Sequence, residues 1–294
     1  MKNKKQFTNK GIILAGGNGT RLTPLTLGVS KQMLPIFDKP MIYYPLSVLM
    51  LAKIKNVLII SSEDHITSFQ KLFGDGSFLG MKIQYETQKR PAGIPEAFTI
   101  GESFINGENV SLILGDNLFH GEGFLNKLTS VQKLNKPTIF TKFFSKPNRF
   151  GVVKYNKKEI PIKIIEKPDS FISNYAVTGL YFYDNTVVEK ARSLKLSKRG
   201  EFEITDLNNL YLKEKNLNEV KLGRAFNWYD AGTIESYYAA ISFVKNFQYL
   251  NQRQIACIEE IAYNNGWISK KDLRKISQNS KSEYFDFINN LINN

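Results

Sequence analysis

A glycine-rich turn with a following arginine is the first feature of this chain that could handle phosphates. The turn, Gly16-Gly-Asn-Gly-Thr-Arg21, follows a run of apolar residues. Glycines let main-chain N–H groups approach phosphate oxygens without side-chain obstruction, and Arg21 adds a guanidinium suited to a triphosphate. By itself the turn is equally typical of an ordinary connection between a strand and a helix.

Two familiar phosphate-binding motifs do not fit this turn. A P-loop requires a lysine followed by serine or threonine after its last glycine, and no lysine stands there. The dinucleotide fingerprint, read from Gly17, finds Gly19 at its second glycine but Leu22 at its third. The sequence therefore disfavours a nicotinamide-dependent dehydrogenase.

Three further positions could complete a phosphate site. Lys31, in Ser30-Lys-Gln-Met-Leu-Pro35, is close enough in sequence to return to the glycine turn. Asp116 directly follows an apolar run, and Asp230 follows a shorter one. Paired carboxylates suit Mg²⁺, which prefers oxygen ligands and retains waters. Either aspartate could instead be a turn residue that caps neighbouring amides.

The elements that must position these residues can be predicted from hydrophobic patterning. Apolar runs predict strands at 11–15, 56–61 and 110–114, and helical patterns lie between them at 42–52 and 95–104. Continuous apolar strands separated by helices indicate a parallel sheet covered on both faces. Ligands of such sheets bind beyond the carboxyl ends of the strands, where Gly16 and Asp116 should lie.

The rest of the chain predicts an extension of the same α/β domain. Strand patterns at 137–144, 150–155, 160–166 and 175–183 should extend the sheet, and helical patterns follow at 233–247, 272–276 and 283–292. We expect a disordered basic tail at 1–9, a catalytic domain at 10–250, and a helical C-terminal extension at 251–294 packed on that domain.

Composition excludes several classes of protein. The formal net charge is +13, but lysine supplies 32 of the 40 basic residues and these are scattered, so a nucleic-acid-binding surface is not indicated. Runs of 18 apolar residues are absent, so no membrane span is predicted. Cys257 is the only cysteine, which rules out an internal disulfide and favours a cytoplasmic setting.

Extended segments of the chain resemble the sugar nucleotidyltransferases, and among them the glucose-1-phosphate thymidylyltransferase family, from residue 10 to about residue 275. The segments that carry the resemblance are Gly11-Ile-Ile-Leu-Ala-Gly-Gly17, Ser30-Lys-Gln32, Asp38-Lys-Pro-Met-Ile-Tyr-Tyr-Pro45, Leu114-Gly-Asp-Asn117, Asn174-Tyr-Ala-Val-Thr-Gly-Leu-Tyr-Phe-Tyr183, Arg199-Gly-Glu201 and Glu203-Ile-Thr-Asp206.

This resemblance implies a fold and an activity. The fold would be a Rossmann-like, GT-A-like nucleotidyltransferase, with a mixed, mainly parallel sheet flanked by helices. The activity would transfer a nucleotidyl group from dTTP to α-D-glucose 1-phosphate, giving dTDP-glucose and pyrophosphate, the first step towards dTDP-deoxysugars such as rhamnose. Mg²⁺ would be the cofactor, and the protein a cytoplasmic homotetramer. The attacking phosphate oxygen is already ionised at neutral pH, so no general base is needed.

The resemblance assigns roles to individual residues. The metal would be held by Asp116 and Asp230, and catalysis would use Arg21, Lys31, Lys167 and Asp116. The nucleotide would be bound by Gly16, Gly19, Thr20, Arg21, Lys31, Gln32, Gln88 and Gly93. The sugar phosphate would be bound by Gly151, Glu166, Lys167 and Val177. Without the resemblance, Glu166 and Lys167 would be interpreted as a solvated ion pair.

The sequence also departs from the family pattern. Ala92 stands where the family usually has aspartate, beside the expected base pocket, and so leaves the preference for dTTP over UTP open. A uridylyltransferase that uses UTP is therefore the nearest alternative. A sugar-nucleotide sensor without activity is a second, which the presence of Arg21, Lys31, Lys167 and both aspartates disfavours.

Overall fold

A computed structural model describes residues 8–17, 19–134, 136–278 and 282–293. A basic tail was predicted over residues 1–9, and residues 1–7 of it lie outside the described residues. Thr8 corrects the predicted boundary, because it is buried and packed on the domain. The side-chain amide of Gln132 pairs with both main-chain polar groups of Thr8, at 2.9 and 2.8 Å.

The described chain forms thirteen β-strands and eleven α-helices, which alternate through its first half. The strands are β1 (Lys10–Ala15), β2 (Pro35–Ile36), β3 (Lys39–Pro40), β4 (Asn56–Ser61), β5 (Lys82–Thr87), β6 (Val110–Leu114), β7 (Asn117–His120), β8 (Thr138–Phe143), β9 (Gly151–Tyr155), β10 (Pro161–Glu166), β11 (Tyr175–Tyr183), β12 (Asn218–Leu222) and β13 (Asn227–Asp230). The α-helices are α1 (Tyr43–Leu51), α2 (Glu63–Phe73), α3 (Glu96–Ile100), α4 (Glu102–Ile105), α5 (Phe124–Leu134), α6 (Val187–Arg192), α7 (Ile204–Lys213), α8 (Ile234–Asn251), α9 (Ile258–Asn264), α10 (Lys270–Ser277) and α11 (Glu283–Asn293).

One nine-stranded mixed sheet organises the domain, with the order β10-β9-β11-β6-β1-β4-β5; in addition, β8 pairs with β11, and β12 pairs with β8. β1 pairs in parallel with β4 and β6, and β4 with β5. β11 then reverses direction and pairs antiparallel with β6. The strands predicted from 137 to 183 thus extend the same sheet, as expected.

Helices cover both faces of this sheet because neighbouring residues in its central strands point to opposite sides. Ile12 belongs to one buried cluster, with α3, α6 and α7, whereas Ile13 belongs to the other, with α1, α2 and α5. Both residues are fully buried. Burial on both faces explains why these strands are apolar without alternation.

Some predicted elements differ from the observed ones. The helix predicted over 95–104 is two short helices, α3 and α4, which meet at Gly101. A Cβ at Gly101 would lie 3.0 to 3.1 Å from Ala97, Ile12 and Leu58, so the chain turns where it packs closely on the sheet. The amphipathic helices α2, α5 and α7 and the edge strand β5 were not predicted.

The C-terminal helices pack on the same core as the sheet. Cys257, which precedes α9, is 1% exposed, and Ile288 of α11 is fully buried in the cluster that contains Ile13. Tyr284 of α11 donates to the carboxylate of Glu259 in α9 at 2.5 Å. In the part of the chain that the structure describes, no helix is both long and apolar enough to cross a bilayer.

Candidate active site

The glycine turn and Asp116 lie at the same edge of the sheet, as the sequence predicted. β1 and β6 are parallel neighbours in register, with Leu14 beside Leu114. The N–H of Gly115 donates to the carbonyl of Leu14 at 2.9 Å, which joins the two turns directly beyond the strands. This edge is where ligands of α/β sheets bind.

Lys31 returns to this edge and contacts Asp116. Its Nζ lies 2.5 Å from Oδ2 of Asp116, with about a tenth of each side chain exposed. Burial raises the pKa of the Asp116 carboxyl, but the charge and hydrogen bond of Lys31 outweigh burial, so the pKa lies below its usual value. The Asp116 carboxyl is thus held in its ionised form beside Lys31 at the centre of the site.

Asp230 reaches the site through a second, two-stranded sheet. β13 pairs antiparallel with β7, and this register sets Asp230 opposite Asn117. Asn117 holds the region together, because its Oδ1 accepts from the N–H of Gly179 at 3.1 Å and from the indole of Trp228 at 2.7 Å. Its amide nitrogen donates to Oδ1 of Asp116 at 2.9 Å. The two aspartates are therefore neighbours by strand pairing.

A second cation neutralises Asp230. Nη2 of Arg149 lies 2.7 Å from Oδ2 of Asp230. Burial raises the pKa of the Asp230 carboxyl, the charge of Asp116 raises it further, and Arg149 opposes both only in part. Each of these two carboxylates is paired with a cationic side chain. A metal ion could bind the carboxylates in place of Lys31 and Arg149, and these side chains could then contact phosphates.

A cavity of about 500 Å³ opens in front of these carboxylates. Seven of the predicted site residues line it together: Arg21, Asp116, Gly151, Glu166, Lys167, Val177 and Asp230. The guanidinium of Arg21 lies against Gly232, beside Asp230. The cavity is large enough for a sugar phosphate and the end of a triphosphate.

Glu166 and Lys167 lie at the far wall of the cavity, at the end of β10. Oε2 of Glu166 accepts from the hydroxyl of Thr205 at 2.5 Å, and Oε1 lies 3.4 Å from Arg199 and 3.9 Å from Lys167. A Cβ at Gly151 would approach the Thr205 hydroxyl to 2.9 Å, so the glycine keeps this wall open. Lys167 adopts φ 40°, a left-handed conformation that is uncommon for residues other than glycine.

The remaining predicted nucleotide residues do not line the cavity. Gly19 has φ 62° and opens the short 3-10 turn Thr20–Leu22. Gln32 is buried and packs against Gly115. Gln88 follows β5 and packs against Gly16, whereas Gly93 lies against the main chain of Phe202. Neither Gly93 nor Thr20 lines the cavity.

Side chains to which the sequence analysis gave no role also line the cavity. Arg149 and Arg199 add two guanidinium groups, and Thr205 adds a hydroxyl. Arg199 begins the Arg-Gly-Glu segment singled out in the sequence, and Arg149 lies two residues before Gly151. Arg149 pairs with the distant Asp230, and Arg199 pairs with Glu166 as well as with its neighbours Glu201 and Glu203. No local pattern marks either arginine as a site residue.

The donor set fits a magnesium ion better than a transition metal. Groups of three or more histidine, cysteine, aspartate and glutamate residues suited to a metal do not occur among the described residues. Asp116 and Asp230 provide two carboxylates, and Mg²⁺ commonly binds through one or two carboxylates, with waters and substrate phosphates completing its octahedron.

Comparison with known proteins places these features in a family. The sequence profile of the nucleotidyl transferase family matches residues 10–246. A glucose-1-phosphate thymidylyltransferase of Neisseria meningitidis is 50% identical over 96% of this chain and 99% of its own length. The enzyme of that name from Mycobacterium tuberculosis is 44% identical over 90% of this chain and 92% of its own.

Solved structures agree with the sequence comparison. A Bacillus anthracis protein provisionally named glucose-1-phosphate thymidylyltransferase, crystallised with sucrose, superimposes with a TM-score of 0.73, at 36% identity over 80% of this chain and 94% of its own. A UDP-glucose pyrophosphorylase in complex with UDP-glucose gives a TM-score of 0.71, at 26% identity over 84% of this chain and all of its own.

Proposed function

Because the chain belongs to the glucose-1-phosphate thymidylyltransferases, within the nucleotidyl transferase family, we propose that it joins dTTP to α-D-glucose 1-phosphate and releases dTDP-glucose and pyrophosphate. A phosphate oxygen of the sugar phosphate forms a bond to the α-phosphorus of dTTP as the bond to pyrophosphate breaks. The nucleophile carries its own negative charge, so no side chain has to remove a proton.

The observation that carries this proposal is the convergence of charges at one edge of the sheet. Asp116 and Asp230 lie beside each other, and Lys31 and Arg149 contact them at 2.5 and 2.7 Å. Arg21 and Lys167 face the same cavity. Nucleotidyl transfer needs this kind of site, because catalysis of phosphoryl chemistry rests on alignment and on neutralising negative charge.

We further propose that Asp116 and Asp230 hold Mg²⁺. When bound, the ion would neutralise phosphate charge and orient the reacting oxygens. Asn117 would keep Asp116 in place through its amide, since its own oxygen is already fixed by Gly179 and Trp228. Lys31 and Arg149 lie close enough to these carboxylates to contact phosphate groups bound there.

The two substrates would occupy different parts of the site. Arg21, next to the glycine turn, would bind the triphosphate and follow its charge to the departing pyrophosphate. Lys167 and Arg199 would neutralise the sugar phosphate. Glu166 would accept hydrogen bonds from sugar hydroxyls, which a carboxylate does well, and Thr205 would fix its second oxygen.

Pyrophosphate release, measured with each of several triphosphates and sugar phosphates, tests the proposal. We expect turnover with dTTP and glucose 1-phosphate, and loss of turnover when divalent cations are chelated. UTP is the competing nucleotide, because UDP-glucose pyrophosphorylase shares the fold. We expect dTTP to be preferred over UTP by only about 10- to 200-fold, because a methyl-sized difference gives discrimination of that order. Efficient use of ATP with any sugar phosphate would contradict the proposal.

Quaternary structure needs a measurement separate from the activity assay. We propose the homotetramer that the family resemblance implies, which light scattering coupled to gel filtration can check. A monomer at the concentrations used in the assay would contradict that part alone and leave the proposed reaction intact.

A further inference from the structure

The side chain of Gln88 is held in one orientation by a partner that received no role above. Gln88 is 4% exposed and follows the edge strand β5. Its Nε2 donates to Oε2 of Glu96, in the first turn of α3, at 2.6 Å. The ends of an amide side chain must be distinguished by their partners. A carboxylate accepts hydrogen bonds and donates none, so the end of Gln88 that faces Glu96 is the nitrogen.

This contact fixes where the oxygen of Gln88 lies. Oε1 faces the glycine turn, and a Cβ on Gly16 would come within 2.4 Å of it. Gly16 therefore provides the space for this oxygen. Within the described residues no group donates a hydrogen bond to Oε1, so none of them competes with a ligand for this acceptor.

We propose that Glu96 is a positioning residue that selects the base of the nucleotide. By holding Nε2, it presents Oε1 of Gln88 as an acceptor, with the second N–H of Nε2 beside it. Thymine and uracil offer a ring N–H next to a carbonyl oxygen, which matches this order. Cytosine offers a ring nitrogen acceptor next to an amino group, so both contacts become repulsive in the same register. This inference rests on the proposed contact between Gln88 and the base.

Gln88 without Glu96 could not make this distinction. A free glutamine amide can rotate by half a turn and present donor or acceptor at either position, so it would serve cytosine as well as uracil. Guanine has the same order of N–H and carbonyl as thymine. Its use therefore depends on the space in the site and not on the orientation of Gln88.

Glu96→Gln tests the inference, since it keeps the size of the side chain but can donate as well as accept. The readout is the ratio of kcat/KM for dUTP to kcat/KM for dCTP, two nucleotides that differ only at the pairing edge. We expect this ratio to fall by about 10- to 100-fold, the range expected for one hydrogen bond to a charged group. The ratio of dTTP to dUTP should stay the same, because both bases carry the ring N–H.

Glu102→Gln is the matched control, because this glutamate lies on the next helix, α4, and pairs with the exposed Arg192. It should change neither ratio. An unchanged ratio of dUTP to dCTP in Glu96→Gln would overturn the inference while leaving the proposed reaction intact. Equal falls for all pyrimidine nucleotides in Glu96→Gln would also overturn it, since they would indicate a structural role. Failure of the wild-type protein to use dTTP would overturn the proposed function itself.

Discussion

At the scale of single residues, the centre of the site consists of two carboxylates that need charge partners. Asp116 is paired with Lys31 and Asp230 with Arg149. Burial raises the pKa of the Asp230 carboxyl, and the negative charge of Asp116 raises it further. Two carboxylates are held close together only where something positive stabilises them.

Removal of either carboxylate should abolish turnover without unfolding the protein. Asp116→Asn and Asp230→Asn keep the shape of the side chain and can still accept hydrogen bonds from their present partners. The loss of a charged metal ligand should cost several kcal/mol of transition-state stabilisation, or at least about 100-fold in kcat. Steady-state kinetics at saturating Mg²⁺ measures this. Asp64→Asn, on the exposed face of α2, is the control, and near-normal turnover by either site variant would refute the metal assignment.

Arg21 and Glu166 should affect different substrates. Arg21→Ala should lower kcat and raise the KM for dTTP, because a guanidinium follows charge to the pyrophosphate as it leaves. Glu166→Gln should raise the KM for glucose 1-phosphate by about tenfold or more, since a hydrogen bond to a charged acceptor is lost, and should spare dTTP. Kinetics with each substrate varied in turn separates the two. Arg192→Ala, which removes an exposed side chain at the end of α6, serves as control. A dTTP defect in Glu166→Gln with normal sugar kinetics would exclude these roles.

At the scale of elements, the ends of strands position the site. β1 and β6 carry the glycine turn and Asp116 to one edge, and the pairing of β13 with β7 adds Asp230. β10 ends at Glu166, and Lys167 then turns with φ 40° as its N–H donates to the carbonyl of Phe150 at 3.0 Å. The left-handed backbone at Lys167 directs the chain out of the strand.

The strained turn at Lys167 predicts an unusual order of stabilities. An alanine in the left-handed region is disfavoured by roughly 1–2 kcal/mol, which glycine avoids. Lys167→Gly should therefore be more stable than Lys167→Ala by about 1 kcal/mol in chemical denaturation, although both should lose activity. The pair Lys154→Gly and Lys154→Ala, within β9, should show the reverse order. Equal stability of the two Lys167 variants would argue against strain at this turn.

At the scale of the whole molecule, the C-terminal helices and the sheet share one core. Ile288 of α11 is buried in the same cluster as Ile13 of β1. Lys39 of β3 lies between the rings of Tyr44 and Tyr284, at 5.5 and 5.3 Å from their centroids, and forms an ion pair with Asp38 at 2.6 Å. These contacts tie α11 to a hairpin that directly follows Lys31.

Shared packing predicts that the C-terminal helices and the active site unfold together. Cys257 is the only cysteine, and burial raises the pKa of its thiol, so it should react with thiol reagents only after unfolding. In Trp267→Phe, the one remaining tryptophan is Trp228, beside the site, and its fluorescence reports on that region. The denaturant midpoints of Cys257 labelling and Trp228 fluorescence should coincide. Labelling at clearly lower denaturant would show that α9–α11 open independently.

The sequence by itself determined the local parts of this protein. Apolar runs predicted β1, β4, β6 and β11, because burial on both faces of a sheet leaves a pattern within a few residues. The glycine turn and Asp116 followed from those strands, since the carboxyl ends of parallel neighbours share an edge. The resemblance to a family then supplied roles that spacing alone left open.

Tertiary structure alone decided which distant side chains meet. Arg149 and Asp230 are 81 residues apart, and their contact depends on strand register and packing across several elements. The register of β13 on β7 placed Asp230 beside Asp116, and the contact between Glu96 and Gln88 fixed which end of the Gln88 amide faces Gly16. Such contacts leave no periodic signal in the sequence, because they are set by geometry between elements and not by the propensity of any one of them.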